Sequence, residues 1–434
     1  MSRTNRLTGA ALAALLPFIA TTGFAADPPL VISGARVVTV SGQTLENASI
    51  VIVNGKIASV GSSLTVPAGA RVIDAKGKTV YPGLFDGLTT LGLTEVGQGA
   101  GGTVDTTETG DVNPHAKAWV ALHPDSELIS VARAFGITTA LTSPAGGLIS
   151  GQAAVIRTMG DTPTTLTVKA PVAMAMRYPT GAPVVDLSQG PPNTEPRTFE
   201  QRLQDRRRNQ EKELLKLKGL LEESRAFGDG ASGGAAMKVD LPMEALALAS
   251  SGKIPTIMRA NSENDIKGAI KFANDNKLKL IIAGGAEAWR CVDELKKGDV
   301  AVLIGVDQVP TREADPYDAA YANAATLHKN GIRFAIVTDD ASNSRNLPFE
   351  AAMAHAFGLP REAAIRAITL SPAEILGVAS SVGSIEPGKA GTLIIANGDI
   401  LDHRTSITTV IIDGKEASLD NKHQRLYDRY KARP

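Results

Sequence analysis

The sequence predicts an α/β protein: a (β/α)8 barrel of the TIM type, with a composite β-sandwich domain formed by the N- and C-terminal segments. Two observations predict it. Through the middle of the chain, short β-branched runs alternate with helical stretches, which is the rhythm of a parallel sheet. The number of units suits a closed barrel. Outside that middle, both ends carry strand–turn–strand patterns. The length, 434 residues with 43% hydrophobic, allows one large domain and a smaller one. Only 4% of residues are aromatic, so the core must rest on Ala, Val, Ile and Leu.

Taken in order, residues 1–25 read as a secretory signal peptide: Arg3 and Arg6, an apolar run, then Gly23-Phe24-Ala25 at the cleavage position. Residues 26–80 are the N-terminal part of the β-domain. Leu30 to Val40 alternates like a strand. Ser49–Val53, Asn54-Gly55 and Lys56–Val60 predict a hairpin, because Asn-Gly between β-branched runs favours a type I′ turn. The barrel is expected over 81–382. Its strands are expected at Ile137–Thr142, Ala154–Arg157, Ile254–Met258, Leu278–Ala283, Val300–Ile304 and Arg333–Val337. Helices are expected at Ser126–Phe135, Ile266–Asn276, Val292–Lys297, Tyr317–Lys329, Glu350–Ala356 and Arg361–Ile368, with another ending over Leu246–Ser250. Residues 199–226 are highly charged, with Leu214, Leu217, Leu220 and Leu221 at helical spacing. They predict an inserted, solvent-facing helix with one apolar stripe; its Arg206-Arg207-Arg208 is either a binding face or solvated surface. Residues 383–420 return to the β-domain, and 421–434 are left as a tail.

Composition excludes some partners. The chain has 45 basic and 45 acidic residues; cleavage after Ala25 removes two Arg and no acid. So neutral a chain gives no electrostatic case for nucleic acid or anionic membrane. A small-molecule ligand is the expected partner, a homo-oligomer is compatible, and the address is periplasmic or secreted. Cys291 is the only cysteine, so no internal disulfide forms, and it reads as a small buried hydrophobe.

Two stretches carry a family resemblance. One is Tyr81-Pro82-Gly83-Leu84-Phe85-Asp86-Gly87-Leu88-Thr89-Thr90, preceded by Val72 to Val80. The other runs from Gly358-Leu359-Pro360 through Ala364–Val378 to Gly383–Gly391. Both resemble the amidohydrolase superfamily of imidazolonepropionase- and dihydroorotase-like hydrolases, and the resemblance covers nearly the whole mature chain. It implies a metal at the C-terminal mouth of the barrel. The ligands would be two histidines on strand one, one each ending strands five and six, an aspartate ending strand eight, and in some branches a bridging lysine on strand four. Metal-bound water would be the nucleophile and the aspartate would handle its proton.

Aligned on the flanking words, this chain has Leu88 and Thr90 on strand one, Arg259 at strand five, and Gly284 at strand six, with Gly285 the other register. Asp339 keeps the strand-eight aspartate and is the candidate catalytic residue. Losing the imidazoles weakens a zinc or other divalent site severely. No metal is therefore assigned, unless His115, His123, Glu95, Asp86 or Glu287 build one in another form. Arg259 is expected to replace the metal electrostatically by pairing with Asp339, the alternative being that each pairs with something local such as Asp340 or Glu263. Gly146 to Gln152 is either a glycine turn or a loop whose N–H groups line the mouth. The function implied is hydrolysis of a C–N bond in a small molecule at an atypical, metal-poor site. The alternative is an inactive relative that binds a small ligand or protein partner.

Overall fold

The computed structural model describes residues 28–97, 101–180, 198–232, 239–307 and 315–433. The proposed signal peptide lies outside them. Eight strands form the barrel sheet in sequence order: Leu84–Thr89, Ile137–Thr142, Ile149–Arg157, Thr167–Arg177, Thr256–Ala260, Leu280–Gly284, Ala301–Ile304 and Phe334–Ile336. Here they are called strands one to eight. The barrel closes where the Asp339 N–H donates to the Leu88 carbonyl at 2.9 Å, joining the end of strand eight to strand one. Its interior is filled by Phe85, Leu141, Val155, Ala173, Ile257, Ile281, Leu303 and Ala335. Apart from Phe85 these are small or branched aliphatic side chains, in keeping with the low aromatic content.

The sheet is not wholly parallel. Strand three pairs antiparallel with both neighbours. The reason is local: strand two and strand three are joined by the short loop 143–148, with no crossover helix between them. A connection that short can only reverse the chain. Strand three is also longer than expected, and strand four was not anticipated, because Pro171 and the alanines of Thr167–Arg177 weaken its strand signal.

Both ends of the chain build one eight-stranded sheet. Leu30–Val37 pairs antiparallel with Leu45–Val53, which forms a hairpin with Lys56–Gly61 across Asn54-Gly55, both at positive φ as a type I′ turn demands. Thr79–Pro82 pairs with Leu30–Val37 on one side and with the C-terminal strand Leu393–Ala396 on the other. Thr79–Pro82 thus ties the two ends of the chain together just before strand one begins. Pro82-Gly83 makes the transition. A Cβ on Gly83 would sit 2.0 Å from Thr138 Oγ1, so the close approach of strand two demands glycine.

The inserted helix is Phe199–Ser232, longer than expected. Its stripe is docked: Leu217 and Leu221 are fully buried, and Leu214 and Leu220 are packed against the same core. Ser224 and Arg225 bond to Ser250, and Arg225 also bonds to the Asn276 carbonyl. The basic triplet is not docked with it; Arg207 and Arg208 are exposed. The expected tail carries a helix, Lys422–Lys431, capped by Asn421. No described helix is long and apolar enough to cross a membrane.

Candidate functional site

The mouth at the C-terminal ends of the strands holds a cavity of about 150 Å³. Strand five places Arg259 there, one residue before its end, and the segment after strand eight carries Thr338 and Asp339. Asp339 is left-handed, at φ 54°. Arg259 donates from both Nη atoms to the two carboxylate oxygens of Asp339; the Nη2–Oδ1 bond is 2.8 Å. This is a bidentate fork, and it joins two of the positions singled out from the sequence. The side chains are partly exposed, at 41% for Arg259 and 34% for Asp339. Hydrogen bonding to Asp339 holds the Arg259 guanidinium above the ordinary arginine range.

Asp339 is set in place by a buried network beside it. Asp86, fully buried on strand one, accepts from Thr338 Oγ1 at 2.5 Å, Ser344 Oγ at 3.0 Å, and the N–H groups of Thr338 and Leu88. Burial raises its carboxyl to about 7, and the Thr338 and Ser344 hydrogen bonds only partly offset this. Asp86 therefore fixes the turn that presents Asp339 and has no donor capacity left over for a metal.

The other positions singled out from the sequence divide. Leu88 is buried and lines the cavity; Thr90 lies past the strand end and does not. Gly284 ends strand six at φ 93°, and a Cβ there would lie 2.2 Å from Asn261 Oδ1. A histidine could not stand at 284 without moving Asn261 and straining the backbone. The remaining sequence candidates are dispersed. His123 pairs with Asp105 at 2.9 Å, Glu95 accepts from Ser126, Glu287 accepts from the Glu263 N–H, and His115 is exposed. Among the described residues no three His, Cys, Asp or Glu side chains converge as metal donors. One carboxylate already forked to a guanidinium is not a donor set for zinc. Cys291 is fully buried, and burial pushes its thiol up to about 12, which removes it as a nucleophile.

Arg177 was missed from sequence because strand four was. It ends that strand in register with Arg259, so both side chains leave the same face of neighbouring strands. Both line the cavity, together with Ser143–Gly147 and Ser150. The glycine stretch is thus part of the mouth. Arg177 also meets Glu213 of the inserted helix, whose Gln210 donates to the Pro179 carbonyl. The signal for strand four was available: Val172, Met174 and Met176 alternate with alanines up to Arg177.

Comparison with known proteins now bears on this geometry. The Amidohydrolase family profile matches residues 317–417. An amidohydrolase from Thermotoga maritima MSB8 has a similar structure, with a TM-score of 0.76 and 25% identity, covering 90% of this chain and 99% of that one. The chain carries the amidohydrolase fold. Among curated proteins, the amidohydrolase tasK of Hapsidospora irregularis is 25% identical over 367 residues, 80% of this chain. A dihydroorotase of Trichlorobacter lovleyi is 42% identical over 57 residues, 13% of either chain. The chain spans 37% of tasK's length. The barrel mouth is thus that of the amidohydrolase fold as architecture, and Arg259 stands on its fifth strand.

Proposed function

We propose that the protein is an exported, periplasmic or secreted hydrolase that cleaves a C–N bond in a small molecule, with Arg259 and Asp339 as its working pair. The observation that carries this reading is the bidentate fork between the ends of strands five and eight, beside a cavity of substrate scale. Asp339 still has lone pairs free to accept a proton from water. The water oxygen bonds to the substrate carbonyl carbon, and Asp339 takes its proton. Arg259 faces the carbonyl oxygen as negative charge develops there. The C–N bond then breaks, and Asp339 returns the proton to the leaving nitrogen. The family's divalent metal does not fit the residues present, and no step passes through one.

A second reading is favoured by the same bond: both oxygens of Asp339 are already engaged by the Arg259 guanidinium, which commits the carboxylate to the fork rather than to a water. The protein would then be an inactive relative that binds a small ligand at the mouth. A panel of small amides, imides and ureas separates the two. Turnover should survive dialysis against a chelator and fall at least about a hundredfold in Asp339→Asn. Activity restored only by added zinc would sink the metal-poor site. Binding without turnover on any substrate would leave the second reading.

A further inference from the structure

We propose that the mouth cavity binds the carboxylate group of a small anionic ligand between Arg177 and Arg259. The inference deepens the reading of the mouth as the ligand site and rests on it, but it does not depend on turnover. Four features converge.

Among the described residues, the ionisable side chains lining the cavity are two arginines, and their carboxylate partners Asp339 and Glu213 lie outside that lining. Because Arg177 and Arg259 are direct partners across parallel strands, their side chains leave the same face of the sheet from adjacent positions. Two forks on one face are a geometry that suits a planar carboxylate.

The two arginines are not equally committed. Arg259 holds Asp339 through two Nη atoms, one bond at 2.8 Å. Arg177 reaches Glu213 only through Nη2, at 3.3 and 3.4 Å. Those distances are long for a charge-assisted bond, whose usual range is about 2.7–2.9 Å. Glu213 also comes from the inserted helix rather than from the barrel, and its side chain is 39% exposed. It is the carboxylate a ligand would displace. Exchanging one carboxylate for another leaves the local charge unchanged, so Arg177 need not become an unpaired cation at any stage.

Backbone donors add to this. Gly146 and Gly147 line the same cavity, and their N–H groups meet no acceptor among the described residues. The volume sets the size: about 150 Å³ holds a carboxylate with a short substituent, not a peptide or a nucleotide.

Calorimetric titration of the full mature chain with sodium acetate, inorganic phosphate and neutral acetamide tests the proposal. Acetate should bind saturably, and acetamide at least about tenfold more weakly. Arg177→Gln should weaken acetate about tenfold or more at unchanged thermal stability. Glu213→Gln should tighten it, because it frees Arg177; a merely structural role for this pair gives no reason for a gain. Equal affinity for acetate and acetamide, wild-type affinity in Arg177→Gln, or a loss in Glu213→Gln would overturn the proposal. Phosphate binding tighter than acetate would overturn the carboxylate assignment. A saturable acetate site in a protein with no turnover defeats the hydrolytic reading alone. Turnover of neutral amides that acetate does not inhibit defeats this proposal alone.

Discussion

At the scale of the residue, the Arg259–Asp339 pair is half in water, and that sets its strength. Breaking a buried pair costs about 3–5 kcal/mol, while exposed pairs couple by about 0.2–1 kcal/mol. A bidentate pair between these limits should couple by about 1–2 kcal/mol in a cycle of Arg259→Met, Asp339→Asn and the double variant. The coupling should shrink in high salt, because the pair is open to screening. Additive effects in urea unfolding would show that the fork does not persist in solution. Asp86 and Glu350 make a different prediction. Each is fully buried, and burial raises each carboxyl to about 7. Glu350 accepts the N–H groups of Val306 and Asp307 past strand seven, which offsets part of that rise. In the unfolded chain such groups titrate near about 4. Between those values the folded protein holds more protons than the unfolded one. Their contribution is therefore fully present below about pH 4 and is lost as pH rises through about 7. Unfolding midpoints should fall from pH 5 to pH 8, and the Asp86→Asn, Glu350→Gln variant should show a flatter profile. An unchanged profile would mean that other groups set it.

At the scale of the element, the inserted helix Phe199–Ser232 reaches the edge of the mouth through Glu213. Its charged sequence alone predicts a surface helix, but two fully buried leucines lock it onto the barrel's outer layer. Leu217→Ala should cost about 2–5 kcal/mol, the range for truncating a buried leucine. Leu215→Ala, at a 64% exposed position one turn-face away, should cost within about 0.5 kcal/mol. Limited proteolysis should cut the Leu217→Ala helix faster than the barrel if docking rests on this stripe. Equal losses for the two variants would show that the helix is held elsewhere. Because Glu213 lies one turn before Leu217, loosening the stripe should also loosen the Glu213–Arg177 contact. Strand three shows how a local connection can override a regional rhythm. A short loop without a helix turned one strand over inside a sheet that is otherwise parallel.

At the scale of the whole molecule, the two chain ends meet in one sheet, so the barrel is framed by contacts far apart in sequence. Export should leave a mature chain beginning at Ala26; N-terminal sequencing of protein from the extracytoplasmic fraction checks this, and intact Met1 there would refute it. The sequence by itself determined the architecture. Period-two runs, the Asn54-Gly55 turn and the alternation of strand and helix are local signals, though strand four and the reversal of strand three escaped them. It also located Leu88, Thr90, Arg259, Gly284 and Asp339, since the flanking words fix their places on the strands. Only the tertiary structure decided which of these meet. Asp339 and Arg259 lie 80 residues apart and touch because strands five and eight end at one mouth. Gly284 and Thr90 occupy equivalent sequence positions yet stay outside the cavity. Arg177 came into view only through its register with Arg259, and Glu213 only through the docking of a helix. Side-chain convergence depends on strand register and closure, and neither is written in a local pattern.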